Sequence, residues 1–148
     1  MKTLIIAAVA AIASLSANAS GSKEKAVTSF RSIQSFQKEF GYVDDVKWSN
    51  AMNNMTRADF VQDDENVTAY FDESGEYVAS TSNMTFDQLP KQLRNSINSK
   101  LTGANIISVF RVNTKNDTFY YFETEKQGVK QLYKGHDYGD FTKQYVKS

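Results

Sequence analysis

Apolar and polar residues alternate along 57–81, which is the most regular pattern in the chain. A period of two residues is typical of strands whose sheet has one buried face. Two polar segments, 63–66 and 72–75, interrupt the alternation and favour tight turns. We therefore predict three antiparallel strands here. The positions that would share the buried face are Ala58, Phe60, Val67, Ala69 and Phe71.

Two other segments have the three-and-four spacing of amphipathic helices. The first helix is predicted over 27–40, with Gly41 as its C-terminal cap. Its apolar stripe consists of Val27, Phe30, Ile33, Phe36 and Phe40. The second helix is predicted over 90–101, with Pro90 in its first turn. Its stripe consists of Leu89, Leu93, Ile97 and Leu101.

Further short apolar and aromatic runs predict additional strands. They lie at 43–48, 106–112, 118–124, 129–133 and 138–146, the last as an edge strand. Together with the helices, these strands indicate an α+β fold in which helices pack on one face of an antiparallel sheet. The order of helix, turn, strand and meander occurs twice, so the domain is predicted to consist of two similar halves, 25–82 and 86–146. The alternative is that two unrelated α+β halves share only this coarse pattern.

The first residues read as an export signal. Lys2 precedes an apolar run over 4–15, and Ala17-Asn18-Ala19 resembles a cleavage site, so residues 1–19 are predicted to be a secretory signal peptide. A membrane anchor is the weaker interpretation, because a spanning helix needs roughly 20 apolar residues. The remaining residues, 20–148, would form a single domain, and without any cysteine it would depend on core packing alone.

The charge of that domain is nearly balanced. The chain has 17 basic and 17 acidic residues, and removal of Lys2 with the signal leaves one basic residue fewer. Such a balance gives no electrostatic reason to expect nucleic acid or an anionic membrane as a partner. No later stretch is apolar enough to insert into a bilayer.

The candidate chemistry is sparse. His136-Asp137 is the one histidine cluster, and it lacks the neighbouring cysteine or histidine that a zinc site or a nucleophilic triad requires. The acidic turns at 63–65 and 72–76 do not have the spacing of a calcium loop. We therefore predict no enzymatic activity, no metal and no cofactor. A hydrolase using His136 with carboxylates is the least favoured alternative.

Aromatic residues provide the stronger functional signal. Tyr is common in protein interfaces because its ring is rigid and its tip is polar. Tyr70, Tyr77, Tyr120 and Tyr133 are predicted to form an exposed patch on the sheet face away from the helices. Cross-strand pairing that only stabilises the sheet is the alternative for each of them.

A second hypothesis concerns a small ligand. Trp48, Phe60 and Phe119 could line an apolar pocket between the sheet and the helices. The protein would then be a carrier or sensor of a small molecule rather than a partner of another protein.

The order of several short motifs resembles the PepSY-like, β-lactamase-inhibitor-like (BLIP-like) family of small exported bacterial proteins. The motifs are Asp45-Val46-Lys47-Trp48, Ala58-Asp59-Phe60, Ala69-Tyr70-Phe71-Asp72 followed by Gly75-Glu76, Leu89-Pro90, Ile106-Ile107 and Tyr120-Tyr121. The resemblance implies a helix-plus-sheet domain in the periplasm or outside the cell, with a binding or inhibitory role. Residues 133–141 depart from the family pattern, and no inhibitory residue can be transferred. We thus expect an exported, non-enzymatic protein that binds an extracytoplasmic protein partner.

Overall fold

The computed structural model describes residues 28–145. The predicted signal peptide, Val27 and residues 146–148 lie outside this range. Two α-helices are present, α1 (Phe30–Phe40) and α2 (Lys91–Lys100), with a 3₁₀ turn at Phe86–Gln88. The strands are β1 (Lys47–Asn50), β2 (Thr56–Gln62), β3 (Glu65–Phe71), β4 (Tyr77–Met84), β5 (Asn105–Thr114), β6 (Thr118–Lys126), β7 (Val129–Gly135) and β8 (Phe141–Gln144).

The eight strands form one antiparallel sheet in which each strand pairs with its neighbours in the chain. The predicted α+β class with an antiparallel sheet is therefore confirmed. The three strands predicted within 57–81 correspond to β2, β3 and β4. The short strands β1 and β8 form the two edges, as expected for β8.

Two of the predicted turns have the backbone that their residues favour. Asp63 and Asp64 both have positive φ, 52° and 63°, so the β2–β3 hairpin closes with two left-handed residues. Gly75 has φ 87° before β4, and a Cβ there would lie 2.8 Å from the backbone nitrogen of Ser32 in α1. Glycine at this turn thus permits both the turn and the close approach of the helix.

Helix α1 covers the first half of the sheet. Ser29 caps its start by accepting a hydrogen bond from the Ser32 N–H at 3.1 Å, and Gly41 ends it with φ 75°. The predicted stripe is wrong at Phe30 and Ile33, which are 73% and 37% exposed, while Ser32 is buried. The reason is the close contact with the Gly75 turn, which places the Ser32 side of the helix against the sheet.

The core under α1 is aromatic. The centroid of the Phe36 ring lies 4.9 Å from that of Phe60 and 5.5 Å from that of Trp48. Both pairs are arranged edge to face, which is favourable for aromatic rings. This cluster also contains Ala58, Ala69, Phe71, Tyr77 and the partly buried Phe40, Val43, Val46 and Val67.

Helix α2 covers the second half, and its predicted stripe is confirmed. Leu93 and Ile97 are buried, as is Leu89 just before the helix, and Leu101 is partly buried. Pro90 precedes the first helical residue, Lys91. The stripe packs against Val109, Tyr120 and Phe122, with Met84, Phe86, Ile106, Tyr133 and Phe141 at the margin.

The strand register separates two faces of the sheet. The helix face is the one on which Phe60, Ser82, Arg111, Tyr120 and Gly135 lie. The outer face is the opposite one, and both described helices pack on the helix face. Within residues 28–145, no helix is long and apolar enough to cross a membrane.

Candidate binding surface

The outer face has its own apolar cluster. Ala79, Val112 and Tyr121 are buried there, with exposed fractions of 2% or less. The register places Ala79 on β4, Val112 on β5 and Tyr121 on β6, all pointing away from the helices. Since no helix among the described residues covers them, their burial comes from the neighbouring side chains of the sheet itself.

Larger side chains surround this buried centre and remain partly exposed. Phe110 is stacked on Tyr121, with ring centroids 5.3 Å apart and planes inclined by 4°. Burial also raises the pKa of the Tyr121 hydroxyl. The rim of the cluster consists of Val78, Phe110, Phe119 and Leu132. These four residues keep part of their apolar area exposed, and they pack against the buried centre.

A cation lies over this rim. The Lys134 ammonium is 3.5 Å from the centre of the Phe119 ring, within the range of a cation–π interaction. The His136 and Phe119 rings are nearly perpendicular, with their centroids 5.1 Å apart. Burial lowers the pKa of Lys134, and the charge of Asp117 opposes that shift. Lys134 has no salt bridge with any residue in 28–145.

The opposite end of the outer face is polar. Arg57 donates from Nε to both Asp59 oxygens, at 3.0 and 2.8 Å, and from Nη2 at 2.8 Å. Thr68 Oγ1 donates to the same carboxylate at 2.6 Å. Hydrogen bonding to Asp59 raises the pKa of Arg57 further, although burial opposes the shift. Tyr70 lies beside Arg57 in the register, and burial raises the pKa of its hydroxyl.

The structure does not assemble the tyrosine patch predicted from the sequence. Tyr70 lies on the outer face but is only 3% exposed. The register places Tyr77, Tyr120 and Tyr133 on the helix face instead. The predicted placement is wrong because alternation separates the sides of a strand without saying which side the helices cover.

Those three tyrosines have packing roles. The Tyr77 hydroxyl lies 3.0 Å from Ser80 Oγ and 3.1 Å from the Asn113 carbonyl oxygen. Tyr133 stacks on Phe122 at 5.2 Å between centroids. Tyr120 is in the core beneath α2, where burial raises the pKa of its hydroxyl.

The predicted ligand pocket also does not form from its three residues. Trp48 and Phe60 lie on the helix face, where Phe36 fills the space between them. Phe119 lies on the outer face, in the rim of the other cluster. A pocket lined by all three is therefore excluded by the sheet that lies between them.

Sequence reasoning missed Phe110, Leu132, Lys134 and the Arg57–Asp59 pair as surface groups. A usable signal exists in the alternation of β6, which puts Phe119 and Tyr121 on one side of the strand and Tyr120 and Phe122 on the other. Choosing the side requires knowing that Phe122, not Tyr121, meets α2.

The histidine cluster lies in an ordinary turn. The His136 N–H donates to the Asp140 carbonyl at 2.9 Å, and the Gly139 N–H donates to the His136 carbonyl at 3.0 Å. In the part of the chain that the structure describes, no group of three histidine, cysteine or acidic residues could hold a metal ion.

Comparison with known proteins supports the fold. No protein-family model matches the chain, and no curated protein matches it. Among solved structures, a BLIP-like protein from Bacteroides fragilis has a TM-score of 0.72 at 16% identity, over 78% of this chain and 84% of that one. A DUF2874 family protein from Bacteroides ovatus has a TM-score of 0.70 at 16% identity, over 80% of this chain and 89% of that one.

A third structure bears on location. It is named as one of the "putative periplasmic proteins" of Bacteroides eggerthii, with a TM-score of 0.69 at 16% identity, over 80% of this chain and 89% of that one. The periplasmic location in its name fits the export predicted from the sequence. The PepSY-like part of the predicted resemblance has no counterpart among these similarities. At these identities the comparisons establish the fold, and the chain has a BLIP-like fold.

Proposed function

We propose that this chain is an exported, non-enzymatic protein that binds another protein with the outer face of its sheet. The observation that carries the proposal is the apolar rim around a buried centre, formed by Val78, Phe110, Phe119 and Leu132. Large apolar side chains held in place by a packed base are typical of interface anchors, because little side-chain entropy is lost on binding. Inhibition of the bound partner is a further part of the proposal, suggested by the BLIP-like resemblance.

The chemistry of the surface specifies the kind of partner. The Lys134 ammonium lies 3.5 Å from the centre of the Phe119 ring in the rim, and it forms no salt bridge with a carboxylate of residues 28–145. A partner segment with an apolar side chain and an adjacent carboxylate would cover the rim and pair with this ammonium. Such pairs contribute to specificity and to the association rate.

The predicted division into two similar halves, 25–82 and 86–146, belongs to the same proposal. Each described helix precedes four strands and covers its own core cluster. The outer cluster joins Ala79 of β4 to Val112 of β5, so the proposed surface lies across the junction of these halves.

The first experiment is quantitative capture followed by affinity measurement. The chain from Ser20 to Ser148 would be immobilised and exposed to envelope and secreted extract from its own cells. A Phe110→Ser, Phe119→Ser variant tests the rim, and Val129→Ser is the matched control because Val129 is 68% exposed and outside the rim. We expect one protein to be retained by the native and control chains but not by the rim variant.

The retained protein would then be purified and titrated. Loss of anchors of this kind costs more than 1 kcal/mol each, so the rim variant should bind at least about tenfold more weakly. Lys134→Gln should slow association and reduce its salt dependence. Equal affinity of the native and rim-variant chains would refute binding by the outer face.

A further inference from the structure

A cleft with a volume of about 790 Å³ lies at the β1 edge of the sheet. Strand β1 pairs with β2 only as far as Lys47 opposite Asp59. The preceding segment, 42–46, therefore leaves Phe60 to Gln62 of β2 without a β1 neighbour. The space between this segment and the β2–β3 hairpin is the cleft, and its volume is within the range of small-molecule sites.

One wall of the cleft is a fixed polar array. Arg57, Asp59 and Thr68 all line it and are joined by the hydrogen bonds described above. The Arg57 and Asp59 side chains are 29% and 36% exposed, so a ligand can reach both. An arginine has five N–H donors, and the pair with Asp59 uses those of Nε and Nη2 while Nη1 makes no hydrogen bond within residues 28–145. The array thus offers donors and acceptors in a preset geometry.

The lining of the cleft also includes an exposed aromatic ring. Tyr42 lines the cleft and is 87% exposed, although a large aromatic ring usually finds cover in the free protein. A ring beside fixed polar groups is suited to a sugar, which has an apolar C–H face and a polar edge of neighbouring hydroxyls.

The charges in the cleft select among sugars. With Arg57 and Asp59 paired to each other, the remaining charged residues are Asp44, Asp45 and Lys47, so acidic groups are in excess. The excess of acidic residues would repel an anionic sugar from the cleft. A neutral sugar would bind without that cost.

We propose that the cleft is a binding site for a neutral oligosaccharide. The Tyr42 ring would stack on the C–H face of one sugar unit, and Arg57, Asp59 and Thr68 would hydrogen-bond its hydroxyls. The site is separate from the outer rim, since none of Phe110, Phe119 and Leu132 lines the cleft. It also differs from the pocket expected between sheet and helices, because neither Trp48 nor Phe119 contributes to it.

The test uses free disaccharides and an NMR experiment that detects saturation transfer to the ligand. Maltose, cellobiose, lactose and N,N′-diacetylchitobiose would each be added up to about 10 mM, enough to nearly saturate a site with a Kd of about 1 mM. We expect at least one of them to bind the native chain. A disaccharide containing a uronic acid is the anionic comparison and should bind more weakly.

Matched tyrosine variants locate the site. Tyr42→Ala should weaken binding about tenfold, whereas Tyr42→Phe should retain it because the ring remains. Tyr138→Ala is the control, because Tyr138 is 82% exposed and does not line the cleft. The Tyr42 and Tyr138 side chains are both largely exposed, so all three variants should fold like the native chain, as thermal unfolding would verify. Thr68→Val tests the polar wall and should also weaken binding.

Three results would overturn the proposal. They are binding of none of the neutral disaccharides, equal weakening by Tyr42→Ala and Tyr138→Ala, and stronger binding of the uronic acid disaccharide. Retention of the protein partner by Tyr42→Ala separates this site from the outer face. Failure at either site would therefore leave the other testable.

Discussion

The contact between Leu93 and Gly135 gives a prediction that can be worked out in detail. Gly135 is buried on β7 beneath α2, and a Cβ built there would lie 2.8 Å from both methyl groups of Leu93. Carbon atoms in ordinary contact are about 3.5–4.0 Å apart, so Gly135→Ala demands a movement of up to about 1 Å. Leu93 is fully buried and cannot simply swing into solvent.

The magnitudes follow from core packing. Overpacking of this kind should cost about 1–3 kcal/mol of unfolding free energy. Leu93→Ala alone should cost about 2–5 kcal/mol, because it leaves a cavity. In the double variant the new methyl group enters the space that Leu93 vacates. The combined loss should therefore be smaller than the sum of the single losses by about 1–3 kcal/mol.

Urea unfolding of residues 20–148 measures all four proteins of this cycle. The midpoint of each unfolding curve and the slope of its free energy against urea concentration give the unfolding free energy of that protein. The four values can be compared provided that this slope is the same in all four proteins. Independent sites usually add to within about 0.5 kcal/mol. Additivity within that margin would show that α2 does not lie against Gly135, and the described packing of the second half would be refuted.

Three further predictions concern the turns and one ion pair. Burial opposes a low pKa of Asp72, but hydrogen bonds donated by the Ser74 hydroxyl and by the Ser74 and Glu76 N–H groups lower it. The charged form of Asp72 therefore stabilises the fold above pH 3.8, the ordinary pKa, and this contribution is lost as pH falls through the lowered pKa. Asp72→Asn should be less stable than the native chain at pH 7. In urea unfolding, the difference in stability between the two proteins should narrow by pH 2. Gly75→Ala combines a positive φ with a clash against the α1 backbone, so it should lower the free energy of unfolding by more than the roughly 1 kcal/mol of left-handed strain alone. Gly128→Ala is the control, because Gly128 also has a positive φ but a Cβ there meets nothing within 4 Å. An equal loss of stability in the two variants would contradict the helix contact. Arg111 donates to Glu65 at 2.7 Å across β4, and both side chains are about one-third exposed. Glu65→Gln should therefore lower the free energy of unfolding by about 1 kcal/mol or less, and this loss should shrink in 1 M salt. A loss that salt does not change would argue against a charge effect.

Much of the fold could be predicted from the chain, because its strands are local and regular. Alternation identified β2 and β3, and the residues Asp63 and Asp64 supplied the turn between them. The stripe of α2 was correct since one side of that helix is uniformly apolar. In these places local preference and tertiary packing agree.

The sequence predictions were wrong where contact with another part of the chain decides which face of a helix or strand is buried. Phe30 belongs to a regular stripe, yet the Gly75 turn rotates the buried side of α1 towards Ser32. Irregular pairing between Tyr70 and Phe71 shifts the β3–β4 register, so Tyr77 lies beside Phe71 on the helix face. A single extra residue reverses the face of a strand, and alternation alone cannot locate it.

The candidate site was harder to predict for the same reason. The Tyr and Phe residues of β6 alternate regularly, but both of its faces are aromatic. Only the position of α2 shows that Phe119 and Tyr121 face outwards. The cleft depends on β1 beginning at Lys47, whereas the apolar run predicted a strand over 43–48.

The sequential order of the sheet has a consequence for how the chain folds. Almost every ladder joins strands that a short turn connects, so most pairing can begin locally. The exception is β4 with β5, where Ala79 meets Thr114 across the whole of α2. Closing that loop is the largest entropic step in the ladder, and rates of folding fall as such separations grow. We expect it to limit the rate, so Val112→Ala, at the centre of this seam, should slow refolding in stopped-flow measurements more than it accelerates unfolding.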